Sequence, residues 1–228
     1  MGIAEGLASV RAEIEAAARR AGRDPAEIKL IAVTKGFGPE MVAAALAAGV
    51  GDVGENRVQE AIGKMEAVRG PLRWHLIGPL QTNKVRLLQG RFALFHSLDR
   101  AELADVLARR LAAEGRRLPV LIEVNIGGEA TKAGVAPEGA GELARHVVAC
   151  PELDLRGLMT VAPPVQRPEA ARPYFRALRG LRDSLAADLG RELPELSMGM
   201  SGDYPVAVEE GATLVRVGRA IFGERPRP

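Results

Sequence analysis

Eight short β-rich apolar runs, alternating with helix-like segments, constrain the fold of this 228-residue chain more than any other feature. They are KLIAVTK (29–35), GDVGEN (51–56), RWHLIG (73–78), ALFHSL (93–98), VLIEVNI (120–126), DLRGLMTV (154–161), LSMGM (196–200) and TLVRVG (213–218). Among the intervening segments, PEMVAAALAAG (39–49) opens on Pro39 and closes on Gly49, the usual order for a helix. DRAELADVLARRLAAEG (99–115) offers Asp99 as N-cap, Glu102 three residues on, and Gly115 as terminator. Eight strand–helix units in this length predict a (β/α)8 TIM barrel, preceded by one extra N-terminal helix, as a single domain over residues 1–228. The alternative is an open doubly wound sheet, and the lack of a GxGxxG after the first run counts against it.

Composition bounds the rest. A net charge of +2 gives no sign of a nucleic-acid partner. Cys150 is the single cysteine, which excludes an internal disulfide framework and predicts a reducing, cytoplasmic setting. The N-terminal stretch carries Glu5, Arg11, Glu13 and Glu15 with no long apolar core, so it reads as an amphipathic helix, neither a secretory signal nor a membrane span.

In a barrel the chemistry collects where strands end at their C-termini. Lys35 shares strand parity with Ile31 and Val33, so its amine is able to face the barrel mouth. Partial desolvation beside other cations would lower its pKa and give the neutral nucleophile a Schiff base needs. A snorkelling lysine that merely ends a strand has the same sequence. The segment SMGMSGDYPVAVEEG (197–211) follows the seventh run and suits a phosphate. Gly199 and Gly202 permit close backbone approach, Ser201 offers a hydroxyl, and Asp203 is placed to start a short helix. Gly218 adds a bare amide after the eighth run, and Arg216 shares its parity. An ion pair inside the barrel is the alternative role for Arg216. A phosphate site beside a reactive amine suggests a phosphorylated aldehyde.

Seven segments in order, IAVTKG, GENRVQE, WHLIGPLQTNK, VNIGGEATKAG, RGLMTV, SMGMSGDY and VRVGRAIFG, resemble the pyridoxal 5'-phosphate (PLP) homeostasis proteins, whose fold matches the N-terminal barrel of alanine racemase. The resemblance implies that Lys35 holds PLP as a Schiff base and that the phosphate lies against Ser201, Gly218 and the Arg219 backbone. Arg216 would face the pyridine nitrogen, and Asn56 and His75, at neighbouring strand ends, would line the pocket. A permanent cation there disfavours ring protonation and makes the ring a poorer electron sink. In the racemase fold a second base, a tyrosine, comes from an additional β-domain of a partner subunit. This chain ends ten residues after Gly218, and Tyr174 and Tyr204 replace that tyrosine by no visible motif. The expectation is therefore a monomeric, non-enzymatic protein that buffers PLP or delivers it to apo PLP-dependent enzymes. Two enzymatic readings stay open, a PLP-dependent enzyme on amino or keto acids and a cofactor-free Schiff-base lyase. Lys132 reads as a solvated loop lysine, and Arg156 as the ion partner of Glu123. His75, His96 and His146 lack the company that a metal site needs.

Overall fold

The structure, a computed structural model, describes residues 2–88, 90–129 and 131–224. Eight parallel strands close a barrel in chain order: β1 (Lys29–Val33), β2 (Asp52–Glu55), β3 (Arg73–Leu76), β4 (Leu94–Leu98), β5 (Leu118–Glu123), β6 (Leu153–Met159), β7 (Glu195–Ser197) and β8 (Leu214–Val217). Closure is the pairing of β1 with β8, which sets Ile31 beside Arg216. The expected (β/α)8 barrel is the observed fold, and each strand falls within or overlaps one of the eight runs.

The outer layer comprises α1 (Ile3–Arg20), α2 (Pro39–Ala47), α3 (Val58–Ala67), α4 (Ala101–Glu114), α5 (Ala140–Val148), α6 (Arg172–Leu189), α7 (Tyr204–Glu209) and α8 (Arg219–Phe222). Among the described residues between β3 and β4, a 3-10 turn, Thr82–Leu87, stands where the other units have a helix. The expected capping by Asp99 is not observed. Helix α4 starts one residue later with Arg100 at its N-cap, and the Asp99 carboxylate accepts from the Arg100 guanidinium at 2.6 Å instead. Gly115 does end that helix, with φ +62°.

Helix α1 buries Leu7, Val10, Ile14, Ala17 and Ala18, one face at helical spacing. Its Glu13 carboxylate accepts from the Tyr204 hydroxyl at 2.7 Å, which ties it to α7. Thus the extra helix braces the units that follow β7 and β8. Inside the barrel, Ile31, Leu94, Leu121, Met159 and Leu214 form an apolar cluster. His75, His96, Ser197 and Arg216 are also buried there, and such polar groups persist in a core only when hydrogen-bonded.

Candidate functional site

The C-terminal strand ends open onto a cavity of about 730 Å³. Lys35, Asn56, Ser201, Arg216, Gly218 and Arg219 all line it. Strand β1 stops at Val33, so Lys35 belongs to the turn beyond it. That turn is closed by the Phe37 N–H donating to the Thr34 carbonyl at 3.1 Å, with Gly36 at φ +77°. A β-turn with positive φ at its third residue calls for glycine there, which explains the local sequence Thr-Lys-Gly-Phe.

Residues from β2 and α3 grip the turn from behind. The Lys64 ammonium donates to the Thr34 carbonyl (2.8 Å), to Glu55 Oε1 (2.6 Å) and to Glu60 Oε1 (2.7 Å). The Thr34 hydroxyl donates to Glu55 at 2.5 Å, and the Gly36 N–H donates to Glu60 at 2.8 Å. Both neighbours of Lys35 are therefore pinned by a buried polar cluster. Burial pushes the Glu55 pKa up, against the opposing pull of Lys64 and Thr34. Sequence reasoning missed this cluster. Its signal was Glu60 and Lys64 at i, i+4, a spacing that usually means a solvated surface pair.

Arg216 is wholly inside the barrel mouth. Its Nη1 donates to Ser197 Oγ at 2.5 Å and its Nη2 to the Thr160 carbonyl at 2.8 Å. Burial pulls its pKa down to about 10, opposed by Glu123 and Asp203, so it remains a cation at neutral pH. His75 does not line the cavity. It lies in the barrel interior, with Nδ1 3.0 Å from His96 Nε2 and Nε2 2.9 Å from Asp52 Oδ1. His96 Nδ1 in turn is 2.9 Å from Ser197 Oγ. Burial foremost, with the Arg216 and Lys29 cations adding to it, holds the His96 imidazole well below its ordinary pKa. Although burial opposes ionisation of Asp52, hydrogen bonds from His75 and Arg73 keep its carboxyl below the usual range.

At the other rim, the Gly218 and Ala220 N–H groups point at Ser201 Oγ from 3.3 and 3.4 Å. These two amides orient the Ser201 hydroxyl, and Arg219, between them in the chain, lines the cavity beside Ser201 and Gly218. Asp203 stands at the N-cap position of α7, as expected, but its carboxylate turns back to accept from the Met200 N–H at 2.6 Å and makes no bond to the helix. Gly199 is required. Its φ is +90°, and a Cβ there would lie 2.6 Å from the Ala207 methyl. Gly202 is not required, since a Cβ at that position meets nothing within 4 Å.

Two further expectations are corrected. Lys132 is on the cavity wall and pairs with Glu129. Glu123 is 7% exposed and lines the cavity near Arg216, whereas Arg156 is directed outward toward Asp154 at 3.8 Å. Burial lifts the Glu123 pKa to about 7, with Arg216 opposing and Asp99 adding to the rise. Four cations, Lys35, Lys132, Arg216 and Arg219, thus line the cavity beside two carboxyls, Glu123 and Asp203, a lining suited to a phosphate. Away from the cavity, Asp105, His146 and Cys150 gather within 4.8 Å of one another. Asp105 and the His146 ring are 2.7 Å apart, and the Cys150 thiol donates to the His146 carbonyl, which accounts for the trio as a contact between α4 and α5.

A barrel with a turn lysine after β1, an amide cradle after β8 and a buried arginine on β8 defines one class of domain. The family model "Alanine racemase, N-terminal domain" matches residues 6–226. A pyridoxal phosphate homeostasis protein of Aquifex aeolicus is 48% identical over 226 residues, 99% of each chain. The structure of PipY from Synechococcus elongatus with PLP bound is 36% identical, with a TM-score of 0.85 over 97% of this chain and 100% of that one. The chain belongs to the pyridoxal phosphate homeostasis protein family, built on the alanine racemase N-terminal domain. An alanine racemase of Clostridium difficile shares the fold at 16% identity and a TM-score of 0.77; the match covers 99% of this chain and 57% of the racemase.

Proposed function

We propose that the cavity holds PLP and that the protein serves PLP homeostasis, buffering the cofactor and passing it to apo-enzymes. The observation that carries this reading is that Lys35, Ser201, Arg216 and Gly218 line one cavity. The residues present fit the group: an amine for the aldehyde, the Ser201 hydroxyl and the backbone of Gly218 and Arg219 for the phosphate, and a guanidinium for the ring nitrogen. When bound, PLP supplies an aldehyde that condenses with a primary amine.

Each residue has a separate task. The turn from Thr34 to Phe37 presents the Lys35 amine, and the Lys64 cluster keeps that turn in place. Ser201, oriented by the Gly218 and Ala220 amides, grips an anion at the far rim together with the backbone of Gly218 and Arg219. Arg216 has only donors, so a ring nitrogen opposite it must accept and stay unprotonated. That arrangement weakens the ring as an electron sink and favours holding over turnover. Reduction of the PLP-loaded protein with borohydride should attach the cofactor to the peptide bearing Lys35, and Lys35→Ala should abolish both label and yellow colour. Uptake by Lys35→Ala equal to that of the parent would overturn the assignment. Handover is tested by mixing loaded protein with an apo-enzyme in the presence of a scavenger for free PLP. Reactivation no better than from free PLP refutes delivery.

A second reading, an enzyme on amino or keto acids, is favoured by Glu123 alone, a cavity carboxyl that titrates near neutrality. Loaded protein with amino acids in deuterated water separates the two. Exchange of the α-proton above the rate with free PLP would establish the enzyme, and exchange at that rate would exclude it.

A further inference from the structure

Five side chains run in series through the barrel interior: Arg216, Ser197, His96, His75 and Asp52. The series starts at the cavity and ends at Asp52, the first residue of β2, where Asp52 Oδ2 also accepts from the exposed Arg73 at 2.6 Å. Its two ends fix its direction. A guanidinium only donates, and an ionised carboxylate only accepts. Ser197 accepts from Arg216, so its own hydrogen is free to go to His96 Nδ1. His96 must then carry its proton on Nε2 and donate to His75 Nδ1. His75 likewise carries its proton on Nε2 and donates to Asp52. Every polar hydrogen in the series has one acceptor, and both rings are neutral.

The reverse order fails. With His96 donating to Ser197 from Nδ1, His75 must donate to His96 from its own Nδ1. A neutral His75 would then set a bare Nε2 lone pair 2.9 Å from the Asp52 carboxylate. Only an imidazolium at His75 avoids that clash. It would place a second cation in the interior with Arg216 and leave the Ser197 hydroxyl hydrogen with no acceptor along the series.

The geometry points to Asp52, His75, His96 and Ser197 as positioning residues that hold Arg216 through a one-way hydrogen-bond chain. Two anchors, Ser197 Oγ on Nη1 and the Thr160 carbonyl on Nη2, fix the plane of the guanidinium. Its remaining N–H groups are then aimed without rotamer freedom. The chain keeps Ser197 an acceptor toward Arg216, which a hydroxyl turned the other way would not be. The effect on the ligand rests on the reading of the cavity as a PLP site; the direction of the chain does not.

Two measurements test it. In the full-length protein freed of cofactor, ¹⁵N–¹H correlation spectra of the imidazoles at pH 7 should show His75 and His96 as neutral rings protonated on Nε2. The third histidine, His146, is assigned by His146→Gln. A proton on Nδ1 of either ring, or an imidazolium at His75, overturns the chain. In PLP titrations Ser197→Ala should weaken binding about tenfold and shift the absorption maximum of the bound cofactor. Ser197→Thr, which keeps the hydroxyl, should stay within about twofold of the parent. An alanine variant that matches the parent in both affinity and spectrum refutes the positioning role. If the parent protein takes up no PLP, the reading of the cavity falls, while the imidazole spectra still decide the chain.

Discussion

Replacing Glu123 by glutamine isolates the most perturbed carboxyl of the cavity. Burial raises its pKa from 4.5 to about 7, with Arg216 pulling the other way. A carboxyl with a raised folded pKa binds more protons in the native than in the unfolded state between those two values. Stability is therefore highest below pH 4.5 and is lost as pH climbs through 7, where it levels off. At about 1.4 kcal/mol per pKa unit, the parent loses roughly 3 kcal/mol across this window that an always-neutral glutamine does not. Burial also raises Glu55 and Asp203, but both are present in parent and variant, so their contributions cancel in the difference. The attraction between ionised Glu123 and Arg216, which stays charged throughout, is already contained in the value of about 7 and adds no separate contribution. The assay is urea unfolding of cofactor-stripped protein at pH 4.5 to 8.5. With a slope of about 3 kcal/mol/M, Glu123→Gln should gain roughly 1 M in relative midpoint over that range. Parallel pH profiles for parent and variant would refute the burial argument.

Lys64→Met should destabilise the fold by about 3–5 kcal/mol in chemical denaturation, because it leaves Glu55, fully buried, without its cation. The double variant Glu55→Gln/Lys64→Met should recover more than half of that loss; no recovery would mean that packing of the lysine stem, not the charge, was at stake. Gly199→Ala should cost about 2–4 kcal/mol from its positive φ and the contact with Ala207, whereas Gly202→Ala should stay within about 0.5 kcal/mol. Equal losses at the two glycines by thermal unfolding would contradict the assignment of Gly199 as the constrained position.

The barrel was legible because its signals are local. Each strand is a short apolar run, and period-two alternation correctly turns Arg216 inward with Leu214. Lys35 was read toward the mouth from the same parity, but β1 stops at Val33 and it is a turn over four residues, Thr34 to Phe37, that presents it. Parity gives a face but not a depth, and His75 shows the difference. It points inward, as a strand residue one step from Trp74 can, yet it lies among His96 and Asp52 and not on the cavity wall. Pairing across strands was equally hidden. Arg156 looked like the partner of Glu123, but the register of β5 with β6 sets Glu123 opposite Met159, and Arg156 faces solvent. The charge near Glu123 comes instead from β8, on another part of the barrel wall.

The two side chains that matter most at the cavity are each held from behind by a buried polar network, Lys35 through Lys64 and Glu55, and Arg216 through Ser197 and the histidines. Apolar residues of the same volume would fill either space at equal or lower free energy. The networks carry visible costs: Glu55 Oε2 lacks a hydrogen-bond partner, and His96 is held as a neutral ring in full burial. Stability therefore does not account for them. What they add is direction: the Lys64 ammonium, with three fixed acceptors, pins the turn that carries Lys35, and the Arg216 guanidinium, with two, cannot re-aim without breaking both bonds. A site that grips one rigid, flat, charged ligand needs that property more than it needs a tighter core.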